Sequence, residues 1–489
     1  MSRETEQAEH PTASARWLPY VPVVGLALPL GITITRHLPL YWAMAAGSVV
    51  AAISAVIYMS PVSRQSERLS GEDGSKAGSS ISLISGYALK GVSRITNVVI
   101  LILLVNAMTA VWFSSGTIQS MVYYGLSVMS PGQVMAVGLV IATIVSMMLG
   151  SSVGTVATVG VATLGIAKAL GLPQAPVAGA IMSGAVFGDR VSFLSPIFHL
   201  AVDFTGSERG KASRRILTTG IAAWVVALLG YLVMGYSLGS GLAGEGFAVR
   251  DMYLDLLSRS ARIGFWALVP PAVVMVLAAR KVPVRLCLIA GLLSGVLVAV
   301  IYQGEGIIPV LQSALFGYHT EAAVGELSRL LRSGGIAGTR DMILLLGCAG
   351  VYTGITELSG MMEEAVRPAV RRLKSRVGFL AAAMCVSVFS AAFASNQAMS
   401  VILPARLLEG KRKETGTSQE DFAGALSDSG VAAAAVIPWN VMAAICAQSL
   451  QMSPLVYAPY AFFLLALPVA GAVYASYSQR RIDTQGARA

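Results

Sequence analysis

The residues best able to do chemistry in this sequence are two aspartates inside long apolar segments. Asp189 lies in Gly188-Asp189-Arg190, and Asp428 lies in a run that reads Ala-Leu-Ser-Asp-Ser-Gly. An ionisable side chain deep in a membrane costs about 2.5–3.5 kcal/mol on insertion scales, so a chain that keeps one usually uses it. Asp189 can bind a cation when ionised and a proton when neutral, which is the simplest basis of exchange. Two structural alternatives remain for Asp189, a pair with Arg190 or a bond to a backbone amide, and Asp428 can instead start a helix.

Neutral oxygen donors gather in short strings around these aspartates and at matching places in the other half of the chain. Hard cations such as sodium take oxygen ligands, and backbone carbonyls freed at a helix break add to them. Small residues can also serve only to let helices pack closely. His199, one turn past Ser195, is a candidate proton relay or a hydrogen-bonded core histidine. The candidate donors are Ser151, Ser152, Thr155, Ser192, Ser195, Ser395, Asn396, Gln397 and Asn440.

The elements that must position these residues are membrane spans. Of the 489 residues, 55% are hydrophobic and 12% are charged, and the mean hydropathy is +0.69. Soluble domains carry about twice that charge, so the composition predicts an all-α polytopic protein of the lipid bilayer. The net charge of +10 does not indicate a nucleic-acid partner, because the basic residues cluster in short loops between apolar segments.

Two features argue against an enzyme and against a bound cofactor. The string that begins at Gly150 and ends at Gly154 fits G-x-S-x-G, but no predicted strand precedes it and the chain has only four histidines. The four cysteines lie in apolar segments without the spacing of metal ligands. We therefore expect no enzymatic activity, no cofactor and no resident metal.

Apolar runs of about 18–20 residues can cross a bilayer as helices, and two of the runs are interrupted. These predicted broken spans cover 173–203 and 421–450, and each contains one of the two aspartates. Two further segments, 132–170 and 377–408, turn back at small or polar midpoints and are predicted to be re-entrant hairpins. Continuous spans are predicted at 17–35, 40–59, 95–113, 216–238, 263–279, 284–302, 341–358 and 455–477.

These segments fall into two similar halves. Ser151 lies 244 residues before Ser395, and the same offset relates Leu40 to Val284 and the first broken span to the second. Such a repeat is typical of secondary transporters, and five crossings plus a hairpin per copy invert the second copy. We predict a polar tail at 1–16, a first inverted repeat at 17–238, an external linker at 239–262, a second inverted repeat at 263–477 and a tail at 478–489.

Loop charges predict the orientation of the two halves. Many basic residues flank the second hairpin and few flank the first, so the second should open to the cytoplasm and the first to the outside. The clusters Arg209 to Arg215 and Arg280 to Arg285 fall on the inner side in this scheme. Both termini are then cytoplasmic, in a multi-pass protein of the cell membrane. The site is predicted near the bilayer midplane, between the hairpin tips and the breaks.

Several strings of this sequence carry a family resemblance. They are GSSVGTVATVG, VAGAIMSGAVFGDRVSFLSP, ASNQAMSVILPARL, ALSDSG, IPWN and YAPYAFF. Together they resemble the NhaC family of bacterial sodium/proton antiporters over residues 90–475. The resemblance implies an exchanger of the ion-transporter superfamily, with paired hairpins, broken helices and an elevator-like shift of the domain that holds the ion. Homodimers are common among such relatives, so a homodimer is a further expectation.

One stretch departs from the family pattern, which reads G-D-K-x-S-P-L-S and then D-T-T-N. Here Arg190 replaces the lysine, and Ser195 is followed by Pro-Ile-Phe-His, so a second carboxylate and three neutral ligands are missing. The leading hypothesis is a sodium (cation)/proton antiporter in which Asp189 carries the ion and Asp428 supports it, with sodium as cargo only. The alternative is a sodium- or proton-coupled exchanger of a small organic acid or amino acid, whose carboxylate Arg190 would bind. A channel is disfavoured because it needs a continuous polar pore.

Overall fold

The chain is helical throughout the part that the structure, a computed structural model, describes, and no strand occurs there. The predicted tail at 1–16 and the segment 241–245 of the predicted linker lie outside that part. The described residues are 17–36, 38–70, 78–240, 246–280, 282–318, 335–371, 373 and 375–486.

The first half of the chain contains nine helices in its described residues. They are α1 (Val21–Thr35), α2 (Tyr41–Ser70), α3 (Gly78–Ser114), α4 (Thr117–Val128), α5 (Val134–Leu149), α6 (Ser152–Ala169), α7 (Gln174–Val191), α8 (Pro196–Thr205) and α9 (Arg209–Ser240). Helix α6 includes a π-helical turn at Val156–Gly160.

The second half of the chain contains twelve helices in its described residues. They are α10 (Gly246–Ser260), α11 (Val269–Ala279), α12 (Val284–Gln303), α13 (Ile307–Phe316), α14 (Arg340–Leu358), α15 (Met361–Arg371), α16 (Arg376–Phe393), α17 (Met399–Glu414), α18 (Gln419–Leu426), α19 (Val441–Leu450), α20 (Pro454–Tyr457) and α21 (Phe462–Gly486). Helix α18 continues into a π-helical turn at Ser427–Val431.

The helices of the described residues are long and apolar enough for a multi-pass membrane protein. Nine of them qualify as spans by length and hydropathy, and up to twelve do if each of three bent helix pairs counts as one span. Helices α7 and α8 form one bent pair, with an angle of 46°, at the place of the first predicted broken span. Sequence reasoning missed α4 and α13, because helices of 12 and 10 residues are too short to give a span signal.

The described residues form two compact units. The first lies within 1–96 and 343–372, and the second within 97–342 and 373–489. In the first unit, glycines allow backbones to meet: a Cβ on Gly91 would lie 2.0 Å from the carbonyl oxygen of Gly350. Close contact through small residues is how membrane helices associate without a hydrophobic driving force. The second unit contains both aspartates and all the candidate oxygen donors.

Two helix hairpins pack against the interrupted helices in the second unit. Helices α5 and α6 turn at Gly150, and α16 and α17 turn around Ser395. A Cβ on Gly184 would lie 2.4 Å from the Leu139 carbonyl oxygen, so only glycine lets α5 lie this close to α7. Gly430, in the π-helical turn after α18, plays the same part against α16 of the other hairpin, where a Cβ would lie 2.4 Å from the Ser387 carbonyl oxygen.

Candidate functional site

Asp189 lies in the last turn of α7, and both of its carboxylate oxygens accept hydrogen bonds. The Ser152 hydroxyl donates to Oδ2 at 2.7 Å, and the Ser195 hydroxyl donates to Oδ1 at 2.8 Å. Ser152 begins α6 at the tip of the first hairpin, and Ser195 caps α8 just after the break. Asp189 is only 7% exposed, yet no salt bridge reaches it from the described residues. The Ser152 backbone amide also bonds to this carboxylate, as one of the two structural alternatives required. A carboxylate has about four lone-pair positions, so two hydroxyls and one amide leave room for another ligand.

The first hairpin tip is pressed against the break between α7 and α8. Gly150 has a φ of +61°, and a Cβ there would lie 2.6 Å from the carbonyl carbon of Leu194. The Ser192 hydroxyl ties the break to the hairpin by donating to the Met147 carbonyl at 2.8 Å. Ser151 and Thr155 also bond to nearby backbone: the Ser151 oxygen accepts from the Gly154 amide, and the Thr155 hydroxyl donates to the Ser151 carbonyl. These three candidate donors therefore hold the tip in shape.

The second hairpin tip meets the break before α19. The Val441 amide donates to the Ser395 carbonyl at 2.9 Å, and Ser395 has a φ of +51°. Asn440 caps α19 by accepting from the Met442 amide, and its amide nitrogen donates to the Ala391 carbonyl at 2.9 Å. The buried Ser395 hydroxyl has no hydrogen-bond partner among the described residues. Asn440 thus holds the break to the hairpin.

The two amides of the second tip have local partners as well. The Ala398 amide donates to the Asn396 side-chain oxygen at 2.9 Å, and the Gln397 amide nitrogen donates to the Val431 carbonyl at 3.2 Å. His199 is half-buried, and its Nε2 lies 2.9 Å from the Phe193 carbonyl. A carbonyl can only accept, so this nitrogen carries the proton.

One cavity of about 600 Å³ joins these parts of the second unit. Both hairpin tips, the first break and the start of α19 line it. The sequence candidates on its wall are Ser151, Ser152, Asp189, His199, Asn396 and Gln397. The cavity can hold a solute beside a carboxylate, and Asp189 is the acidic side chain among the described residues that line it.

Asp428 lies in the π-helical turn after α18, not at a helix start and not on the cavity wall. Arg190 Nη2 donates to its Oδ1, and Arg215 Nη1 donates to its Oδ2 at 3.3 Å. The Thr219 hydroxyl adds a bond of 2.7 Å to Oδ1, and Arg190 Nε donates to the Ser427 hydroxyl at 3.1 Å. Asp428 is therefore a fully buried counter-ion, and Arg190 pairs with it and not with Asp189.

This ion-pair cluster extends beyond the residues that the sequence singled out. Arg215 Nε donates to Asp421 Oδ1 at 3.1 Å, and Arg376 also pairs with Asp421. The Arg215 guanidinium stacks 3.7 Å from the ring centroid of Tyr474. Sequence reasoning assigned Arg215 to a loop by its charge, but it lies within α9 with only 5% exposure. The ion-pair partners lie between 45 and 238 residues apart, so no local signal could have identified the cluster.

Comparison with known proteins places the chain among transporters. The description "Na+/H+ antiporter family" matches residues 184–478. The NhaC Na+/H+ antiporter of Alkalihalophilus pseudofirmus is 29% identical over 374 residues, which are 76% of this chain and 79% of that protein. A malate-2H+/Na+-lactate antiporter of Bacillus subtilis is 27% identical over 389 residues, 79% and 82% of the two chains. The arginine/ornithine antiporter ArcD of Halobacterium salinarum is 25% identical over 371 residues, 76% of each chain.

The family match covers more than half of the chain and includes Asp189, both breaks and the whole second hairpin. It confirms the resemblance that the sequence strings carried, and it confirms that the protein is a transporter and not an enzyme. The chain belongs to the Na+/H+ antiporter family.

Proposed function

We propose that this protein is a sodium (cation)/proton antiporter of the cell membrane, and that Asp189 binds sodium and protons in alternation. The observation that carries the proposal is the setting of Asp189 on a cavity wall, between two hydroxyls, with no salt bridge from the described residues. Two relatives that carry the name Na+/H+ antiporter NhaC give independent support.

The setting of Asp189 makes sodium and proton binding mutually exclusive. An ionised carboxylate with hydroxyl oxygens from Ser152 and Ser195 offers the hard ligands that sodium prefers. A buried carboxylate without an ionic partner is costly, and either a sodium ion or a proton removes that cost. The site would then be neutral in both loaded states, which is the state in which it can cross the membrane at least cost.

Asp428 has a different part in this proposal. Its two arginine partners already offset its charge, so it is better placed to support the site indirectly. Arg190 follows Asp189 directly, and its bond to Asp428 fixes the last turn of α7. We therefore assign Asp428 the supporting role through Arg190 and not through direct contact with sodium.

We also propose two inverted repeats, each with five crossings and a re-entrant hairpin, and an elevator-type movement. The helix ends support the repeat: α5 ends at Leu149 and α16 ends at Phe393, 244 residues later. Helices α7 and α18 begin at Gln174 and Gln419, which differ from that offset by one residue. Cysteine accessibility tests the inversion, because each hairpin tip should then be reached from a different side of the membrane.

The cavity volume and two relatives support the organic-acid alternative, but the pairing of Arg190 argues against it. A cavity of about 600 Å³ has room for a solute, and two relatives are named for organic or amino-acid exchange. However, Arg190, the expected partner of a solute carboxylate, is buried against Asp428 and Ser427. The geometry therefore favours the cation/proton antiporter.

Exchange in proteoliposomes tests the proposal directly. Wild-type protein should take up sodium as protons leave, and Asp189→Asn should reduce this flux to that of empty liposomes. Asp203→Asn is the matched control, because Asp203 is an exposed aspartate on α8 outside the cavity. Wild-type rates in Asp189→Asn would refute the assignment, provided that size-exclusion profiles show both variants folded.

A further inference from the structure

The cavity beside Asp189 is much larger than a sodium site requires. Its volume of about 600 Å³ lies within the range of about 300–1,000 Å³ that is typical of small-molecule sites. Most of its lining side chains are apolar, among them Met442 and Ile445. Such walls give no ligand to a bare ion, but they bury the apolar part of an organic solute favourably.

The charged side chains that line the cavity determine which charge a bound solute should carry. Asp189 is negative once it has released its proton, and no arginine or lysine is among the described residues that line the cavity. Arg190, the nearest arginine in sequence, bonds to Asp428 instead. An organic anion would meet a carboxylate and neither arginine nor lysine, and a zwitterion would satisfy only its ammonium group. The histidine on the wall, His199, uses its Nε2 to donate to the Phe193 carbonyl. An organic cation would satisfy Asp189 and leave no charge unpaired.

An aromatic ring also lines the cavity. Phe193 lies in the break four residues after Asp189, and it lines the cavity with 56% of its surface exposed. An edge-to-face contact with Phe198, with ring centroids 5.4 Å apart, holds the ring in position. An exposed ring face attracts ammonium groups, and the contact with Phe198 leaves more than half of the Phe193 surface uncovered.

We infer that this cavity binds small organic cations, ammonium compounds with an apolar body, whose charged group pairs with Asp189. The inference rests on the proposed function because it uses the same carboxylate as the sodium ion. The ammonium group would donate to the carboxylate, and the apolar body would lie against Phe193 and the α19 side chains. Organic cations should then compete with sodium, as substrates or as blockers of the exchange.

Calorimetry on the purified full-length protein tests the inference with benzylammonium as the probe. Benzyl alcohol and benzoate are the matched neutral and anionic controls of similar shape. We expect benzylammonium to bind and to weaken sodium binding competitively, while neither control does so. Asp189→Asn should weaken benzylammonium binding by at least about tenfold, since it removes a charge-assisted hydrogen bond.

A second variant separates the organic cation from sodium. Val284 lines the cavity from the start of α12 and is no part of the proposed sodium ligands. Val284→Phe should weaken benzylammonium binding by about tenfold through lost space and leave sodium binding unchanged. Should this variant also lose sodium binding, Phe193→Ala replaces it and should weaken only benzylammonium.

The outcomes separate the two proposals. Sodium binding without benzylammonium binding overturns the inference and leaves the antiporter proposal intact. Benzylammonium binding that depends on Asp189, without sodium binding, does the reverse. Equal binding of benzyl alcohol, or binding of benzoate, would show that the cavity does not select positive charge and would overturn the inference.

Discussion

The two interrupted helices of the second unit bury one aspartate each, and the two carboxylates differ in their partners. Asp189 accepts from two serine hydroxyls and faces a cavity. Asp428 is fully buried and accepts from two arginines and a threonine. The comparison teaches that burial alone does not distinguish a carboxylate able to bind an ion. The aspartate proposed to bind the ion differs from Asp428 because it lacks an ionic partner and adjoins a space that a ligand can enter.

The scaffolds around the two aspartates are alike, so the difference lies in the side chains. In both places a hairpin arm packs on the interrupted helix at a glycine, Gly184 in one and Gly430 in the other. At the offset of 244 residues, however, Asp189 corresponds to Ala433 and Asp428 corresponds to Gly184. One interrupted helix therefore carries the carboxylate that faces the cavity, and the other carries the carboxylate that pairs with Arg190.

The largest expected effect is the loss of stability in Asp428→Asn. This change leaves Arg190 and Arg215 without their shared carboxylate in a buried setting, and breaking a buried ion pair costs about 3–5 kcal/mol. We expect a clearly lower melting temperature in detergent and a lower yield, whereas Asp189→Asn should melt close to the wild type. Equal melting temperatures for the two variants would remove the distinction between a structural and a binding aspartate.

The next effect concerns the contact between the first hairpin tip and the break. Gly150 has a left-handed backbone conformation, and an alanine there would have to adopt it at a cost of about 1–2 kcal/mol. The new Cβ would also lie 2.6 Å from the Leu194 carbonyl carbon. We expect sodium-driven flux to fall strongly as the tip moves away from Asp189. Gly154→Ala is the control, since its nearest contact would be an ordinary 3.4 Å to Leu149. Equal flux in the two variants would show that the tip does not shape the site.

A smaller effect is expected from the hydroxyls on Asp189. Ser152→Ala and Ser195→Ala should each raise the sodium dissociation constant by about tenfold, which corresponds to about 1.4 kcal/mol. Ser195→Ala should also lower stability by about 0.5–2 kcal/mol, because Ser195 caps α8. Ser192→Ala is the comparison, as its hydroxyl bonds to the Met147 carbonyl and not to Asp189. Equilibrium sodium binding measures all three variants, and an equal loss in Ser192→Ala would contradict the ligand assignment.

The smallest effect is expected at His199. Its Nε2 donates to the Phe193 carbonyl, and a glutamine amide can make the same bond. His199→Gln should change stability by less than about 0.5 kcal/mol and leave the pH profile of exchange unaltered. A shifted pH profile would assign His199 to the proton path, as the relay interpretation of the sequence requires.

The sequence predicted the parts of the site that depend on local pattern. Glycine, serine and proline within apolar runs identified both hairpin tips and the first break, because each of them interrupts a helix by its own geometry. The partner of Arg190 could not be predicted in this way. Adjacent residues on a helix point about 100° apart, so Asp189 and Arg190 face different surroundings although they are neighbours in sequence.

The remaining ion-pair cluster shows the same limit at longer range. The positive-inside rule places Arg215 in an inner loop, and the sequence gives no sign of a partner for Asp421 at the start of a predicted span. Both are buried and paired, because α9 and α18 pack against each other. Such pairing is a property of the folded helices, and charge counting along the chain cannot reveal it.

Proton release on sodium binding tests the central claim most directly. Purified wild-type protein in weakly buffered solution should release protons when sodium is added, because sodium displaces the proton on Asp189. Asp203→Asn should release as many protons as the wild type, and Asp189→Asn should release none. Undiminished proton release from folded Asp189→Asn would contradict the account, because another group would then exchange the two ions.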